Sequence, residues 1–81
     1  MNTSRGTYVL PLWTIFAPGT DGYCGYTARC FLADASGVPV ITEDVVRSDT
    51  LDALRDVHRD AGRVCITRSP EDAANIVETW L

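Results

Sequence analysis

The first half of the chain is predicted to consist of β-strands. Residues 7 to 16, TYVLPLWTIF, are rich in β-branched and aromatic types, and alternate side chains of a strand point to opposite faces. One face would carry Tyr8, Leu10, Leu12, Thr14 and Phe16, and the other Val9, Pro11, Trp13 and Ile15. Because both faces are apolar, this strand is expected to be covered on both sides or to run under a helix. Pro11 lacks an amide donor, which predicts an edge strand or a bulge.

Two further strands are predicted before residue 47. Residues 23 to 34, YCGYTARCFLAD, form the second, in which Gly25 suggests a bulge, and residues 38 to 46, VPVITEDVV, form the third. The glycine and proline of residues 17 to 22 predict a loop between the first two strands. The run DASG, residues 34 to 37, is typical of a turn. Together these signals predict an antiparallel meander.

A change to helical periodicity follows. Ser48 is a suitable helix cap, and Gly62 suits the left-handed position that follows a helix. At 100° per residue, the apolar side chains and the single histidine fall within an arc of about 120°, which predicts a buried stripe. Its members are Leu51, Leu54, Val57, His58 and Ala61.

The C-terminal part predicts one more strand and a second helix. Residues 63 to 68, RVCITR, form a short fourth strand, and the run SPED, residues 69 to 72, has the features of a helix start. Ala73, Ile76, Val77 and Trp80 then recur at helical spacing. The predicted order is β-β-β-α-β-α, an α+β fold in which two helices cover one face of a largely antiparallel four-stranded sheet.

Length and composition are those of one small globular domain. The 81 residues are 46% hydrophobic and 22% charged. No apolar run approaches the roughly 20 residues that span a bilayer. Residues 1 to 6 are interpreted as a flexible tail, because they lack the features of a signal peptide, and a cytoplasmic location is expected.

The cysteines and the histidine give little indication of chemistry. Cys24, Cys30 and Cys65 are an odd set, and an extended strand would hold the first two about 20 Å apart, so reduced and mostly buried thiols are expected. Their spacing with His58 matches no familiar zinc site, and no phosphate-binding loop is present. No metal or cofactor is therefore expected, and a catalytic site is not predicted.

The charge pattern is the most informative feature for function. The net charge is −4, and the seven basic residues are all arginine, which disfavours a basic nucleic-acid-binding surface. On the helical wheel, four aspartates share a band of about 80° opposite the apolar stripe. They are Asp49, Asp52, Asp56 and Asp60, and Glu43 and Asp44 precede them. Such a row of carboxylates could imitate a phosphate backbone and bind a basic groove.

The alternative interpretation is an ordinary solvated helix face. Arg55 and Arg59 lie three residues after Asp52 and Asp56, at the spacing that permits ion pairs along a helix. These pairs would neutralise part of the acidic band. The sequence leaves both interpretations open.

In length, net charge and acidic stripe, the chain resembles the small acidic proteins with which phages and mobile elements block host defence, the anti-CRISPR proteins in particular. The resemblance concerns a surface property of residues 43 to 60 and no shared motif. It implies a non-enzymatic inhibitor that occupies a basic nucleic-acid-binding surface of a CRISPR effector complex. The implied contact residues are Glu43, Asp44, Asp49, Asp52, Asp56 and Asp60.

Two other functions remain as alternatives. A small accessory domain that acts as a homodimer is favoured by the two apolar faces of the first strand, since an uncovered face or edge can pair with a second copy. A cysteine-dependent enzyme would need a reactive thiol, with Cys65 and His58 as the residues that the fold could bring together.

Overall fold

The computed structural model of the chain describes residues 9–34, 36, 38–69 and 72–81. Within them lie five strands and one α-helix, with a short 3₁₀ turn at Thr20–Gly22. In chain order the elements are β1 (Leu10–Phe16), β2 (Tyr26–Ala33), β3 (Val40–Ser48), α1 (Leu51–Asp60), β4 (Cys65–Thr67) and β5 (Ile76–Trp80).

The strands form one antiparallel sheet in the order β3-β2-β1-β5-β4. Strands β1, β2 and β3 form the predicted meander, and β5 pairs with the free side of β1. Helix α1 connects β3 at one edge of the sheet to β4 at the other edge. It therefore crosses one face of the sheet, and no helix of the described part of the chain lies on the opposite face.

The core lies between α1 and this covered face. Ile15, Ala28 and Leu54 are completely buried, and Trp80 is 5% exposed. On the wheel, the buried arc of α1 runs from Leu54 to Arg55, about 140° to 240° from Asp49. The prediction of a buried stripe is confirmed for Leu54 and His58. It is wrong for Val57 and Ala61, which lie at one side of the predicted stripe and are exposed.

Both ends of α1 are fixed by local hydrogen bonds. Thr50, rather than the predicted Ser48, is the cap, and its hydroxyl accepts the amide of Ala53 at 3.3 Å. Ser48 instead accepts the amide of Thr50. At the other end Gly62 has the predicted left-handed backbone, with φ of 81°. Its amide donates to Arg59 and the next amide to His58, which is the Schellman pattern.

The predicted fold class is wrong in its C-terminal part: the sheet has five strands, and one helix is found among the described residues. The second helix, built on Ala73, Ile76, Val77 and Trp80, is replaced by β5. The run IVETW also has a strand period, and its β-branched and aromatic residues favour a strand once β1 offers a pairing edge. Asp72 accepts the amide of Ser69, as in a turn; Pro70 and Glu71 lie outside the described residues.

Pro11 is not on an edge strand, because β1 is the central strand of the sheet. Pro11 pairs with Leu32 of β2, but the pairing between β1 and β5 begins only at Trp13. The missing amide donor of Pro11 therefore costs no hydrogen bond to β5, because β5 does not pair with this part of β1.

The junction of β2 and β3 depends on a glycine and a bulge. Gly25 is buried directly before β2, and a Cβ atom there would lie 2.5 Å from the carbonyl oxygen of Ser48. The glycine thus permits a close approach of the chain to β3, rather than forming the predicted bulge. The bulge lies further along, where Arg29 pairs with Val45 while Phe31 pairs with Ile41.

The flexible tail predicted at residues 1 to 6 lies outside the described residues. Among the helices that are described, none has the length and apolar character needed to cross a membrane.

Candidate functional site

The predicted acidic stripe lies on the outer side of α1. Asp52, Asp56 and Asp60 are in the helix and exposed, with 92% of the Asp52 side chain and 66% of the Asp56 side chain accessible. Asp49 is also exposed but precedes the cap, so it lies before the helix. We call these four residues the acidic face. Because the buried arc is centred near 190° and the three aspartates of the helix near 340°, this face points away from the sheet.

Glu43 and Asp44 occupy a different element from the acidic face. Both are exposed and lie in β3, within the segment that bulges away from β2. The hydroxyl of Thr42 donates to the carbonyl of Cys30 at 2.7 Å and accepts the amide of Asp44 at 3.1 Å, which fixes the bulge. The two carboxylates therefore project from the middle of an edge strand, five and four residues before it ends at Ser48.

The charge of Arg55 is directed inward, toward a buried carboxylate. Its guanidinium donates two hydrogen bonds to Glu78 of β5, from Nε at 3.0 Å and from Nη2 at 2.9 Å. The Glu78 side chain is 7% exposed and also accepts the indole N–H of Trp80 at 2.9 Å. The hydrogen bonds from Arg55, and to a smaller extent the one from Trp80, lower the pKa of Glu78. The contact from Arg55 to Asp52 is longer, 3.8 Å.

The second arginine of the helix compensates one aspartate. Arg59 donates to Asp56 at 2.7 Å, and both side chains are largely exposed. The two predicted pairs are thus confirmed, but they differ in kind, since Arg55 is bound mainly by Glu78. Of the acidic face, only Asp56 has a short ion pair among the described contacts, so the face keeps a net negative charge.

His58 is packed between two tryptophans beneath α1. Its ring lies 5.3 Å from that of Trp13 and 5.8 Å from that of Trp80, and it is completely buried. Its Nδ1 is 3.3 Å from the guanidinium of Arg63, and its Nε2 has no hydrogen-bond partner. Burial first, and the charge of Arg63 second, lower the pKa of His58. The histidine is a neutral member of the core.

We expect His58 to make the protein less stable in mild acid. Since its pKa is lowered by folding, stability is full above the ordinary value of 6.5 and decreases as the pH falls below it, because the unfolded chain takes up the proton first. The slope is at most about 1.4 kcal/mol per pH unit. Urea unfolding of the protein and of His58→Phe between about pH 7.5 and pH 5 measures it. The expected result is a flatter profile for the variant, and parallel profiles would contradict it.

The cysteines are free, but only Cys30 is buried; Cys24 and Cys65 are exposed, contrary to the prediction of mostly buried thiols. The partial burial of its sulfur, and then the negative charge of Glu78, raise the pKa of Cys65. A nucleophilic thiol needs a lowered pKa, so this site lends no support to the cysteine-enzyme alternative. Among the described residues, no three His, Cys, Asp or Glu side chains are grouped as metal ligands.

Comparison with protein-family models, with curated proteins and with solved structures gave no match to this chain. Functional interpretation therefore rests on the surfaces and contacts of the molecule itself.

Two features of the site were missed by sequence reasoning. The pair of Arg55 and Glu78 was not predicted, because Glu78 was assigned to a helix and lies 23 residues away. The second feature is the sheet face opposite α1, whose only signal was the two-sided apolar character of residues 7 to 16.

Proposed function

We propose that this protein is a non-enzymatic binding protein that occupies a basic surface of another protein with its acidic face. The observation that carries the proposal is the inward orientation of Arg55. Because Glu78 holds this guanidinium, its contact with Asp52 is long, 3.8 Å, and the exposed carboxylates without a short ion pair remain available to a partner.

The partner that fits this surface is a groove built for nucleic acid. Successive carboxylates of the helix rise by about 4.5 to 6 Å, which lies between the advance of one phosphate along a DNA strand, about 3.4 Å, and that of every second phosphate, about 6.8 Å. Complementary charge of this kind accelerates association and selects the partner. A CRISPR effector complex, met in the cytoplasm of a host cell, is the partner that the anti-CRISPR resemblance implies.

The charge of the acidic face is expected to determine inhibition. The test measures displacement of target DNA from a panel of purified CRISPR effector complexes by the protein and by the triple variant Asp49→Asn/Asp52→Asn/Asp60→Asn. These aspartates have no short ion pair among the described contacts, so the variant should fold normally. We expect displacement for at least one complex, and a loss of about tenfold or more in affinity for the variant, as for three exposed ion pairs.

A second variant separates the two groups of predicted contact residues. Glu43→Gln/Asp44→Asn removes charge from the β3 bulge and leaves α1 unchanged. A smaller loss than that of the helix variant is expected, because only the helix presents an aligned row. Inhibition that is equal for the protein and the triple variant would contradict the mechanism, and an absence of DNA displacement across the panel would contradict the CRISPR-directed function.

A further inference from the structure

Within the described residues no helix covers the sheet face opposite α1, and this face is largely apolar, with Arg29 of β2 and Arg47 of β3 also on it. Leu12 of β1 lies beside Phe31 of β2, and Phe31 lies beside Ile41 of β3. On the other side of β1, Phe16 pairs with Ile76. With Ile66 of β4, these residues form what we call the open face: Leu12, Phe16, Phe31, Ile41, Ile66 and Ile76. Ile41 is 63% exposed and Ile66 is 46% exposed.

A shallow groove runs along the centre of the open face. It has a volume of about 220 Å³ and is lined by Leu12, Thr14, Phe16, Phe31, Pro39 and Ile76. Five of these six residues are apolar. The groove accepts the side chains of an apposed apolar surface, in the way that the inner faces of two packed sheets interdigitate.

The size of the open face matches the requirement of a small stable interface. The five strands have seven, eight, nine, three and five residues, about six on average. At about 4.8 Å between strands and about 3.4 Å per residue, they give a face of roughly 500 Å². Two such faces in contact would bury roughly 1,000 Å², which is at the low end of specific protein interfaces. A single peptide segment laid in the groove would cover only part of this area.

The small core favours a second copy of the chain as the occupant of the open face. The buried hydrophobic residues on the described part of the chain are Ile15, Ala28, Cys30, Leu54 and Trp80. A chain of this size is stabilised by a small margin, and association commonly supplies the missing burial. A copy of the same chain is present whenever the protein is synthesised, whereas a foreign partner would leave the unbound protein with this face in water.

We propose that two copies pack through their open faces about a two-fold axis that runs between the two sheets, parallel to the central strand β1. This places β2 of one copy over β5 of the other and gives four layers, with the helices outside. The bulge of β3, with Glu43 and Asp44, and the three-residue length of β4 disfavour the alternative dimer formed through the sheet edges. The acidic faces of the two copies then point in opposite directions.

The mass of the protein in solution, measured by size-exclusion chromatography with light scattering, tests this dimer. The expected mass is twice the 8.9 kDa of the chain. Ile41→Arg and Ile66→Arg, made separately at opposite edges of the open face, are expected to weaken dimerisation at least tenfold. Both positions are exposed in the single chain, so each variant should keep its fold, as checked by circular dichroism. The matched control, Val57→Arg, alters a residue on α1 that is 45% exposed and should remain dimeric.

Three results would overturn the proposal. The first is a wild-type protein that stays monomeric at millimolar concentration. The second is a dimer that persists in both open-face variants. The third is a dimer that Val57→Arg weakens as much as the open-face variants do. A monomeric wild-type protein is also the result expected if the open face binds only a foreign protein. The test is independent of the proposed function, because the triple aspartate variant should remain dimeric and the open-face variants retain the acidic face.

Discussion

Replacement of Arg55 by methionine is expected to lower the free energy of unfolding by about 3 kcal/mol. The substitution leaves the carboxylate of Glu78, only 7% exposed, without the two hydrogen bonds from the guanidinium. The indole N–H of Trp80 and the weakly donating thiol of Cys65 are then left beside the buried charge. Urea unfolding at neutral pH measures the effect as a lower midpoint with an unchanged slope.

The matched control for this prediction is Arg59→Met. It removes the same charge one helical turn away, from a pair in which both side chains are more than 60% exposed, and should cost less than about 0.5 kcal/mol. The cost of Arg55→Met should also shrink at about pH 4, because a Glu78 deprived of Arg55 takes up a proton and loses its unpaired charge. Equal losses for the two arginine variants would show that Glu78 is hydrated rather than buried.

Truncation of Leu54 to alanine is expected to destabilise the protein by about 3 kcal/mol. Leu54 is completely buried between α1 and the sheet, where it belongs to the same core as Ile15, Ala28 and Trp80. The substitution removes buried methyl groups and leaves a cavity in a core that has few other large side chains. Thermal or urea unfolding at a fixed protein concentration measures the loss.

Val57→Ala is the control, and it distinguishes the structure from the sequence pattern. The pattern assigned Val57 and Leu54 to the same buried stripe, whereas Val57 is 45% exposed. A change below about 0.5 kcal/mol is expected, because alanine has the higher helix propensity and little apolar contact is lost. A loss at Val57 as large as that at Leu54 would show that α1 is rotated from the orientation described here.

Local signals were sufficient to predict most elements of this fold. The β-branched and aromatic residues between positions 7 and 16 predicted β1, and the helical period around Leu54 and His58 predicted α1. Both predictions were possible because each pattern is complete within one element. Gly62 ends the helix by a backbone conformation that glycine adopts readily, so its role is also visible locally.

The error in the C-terminal part has a physical cause. Ile76, Val77 and Trp80 satisfy a helical spacing, and the strand interpretation becomes favourable only when residues 76 to 80 pair with β1, about sixty residues earlier in the chain. A pairing of such sequence separation leaves no local signal. The position of Glu78 opposite Arg55 depends on that pairing, which is why the site's only buried ion pair in the described contacts was not predicted.

The acidic face was predictable in position but not in charge. The wheel placed the four aspartates opposite the apolar stripe, and the exposure of Asp52 and Asp56 agrees with this. How much of their charge is compensated depends on which carboxylate each arginine contacts. Arg55 binds the buried Glu78, because the attraction between opposite charges is stronger when they are shielded from water than when they are in solvent.

Capture of partners from a host-cell lysate, with the wild-type protein and the triple aspartate variant compared side by side, is the most direct measurement of binding by the acidic face. The capture is repeated at low and at high salt, because screening weakens exposed charges separated by more than about 8 Å at physiological ionic strength. We expect the wild-type protein alone to retain a nucleic-acid-binding complex, and to release it at high salt. Retention of the same complex by both proteins, or at both salt concentrations, would contradict a binding role for the acidic face.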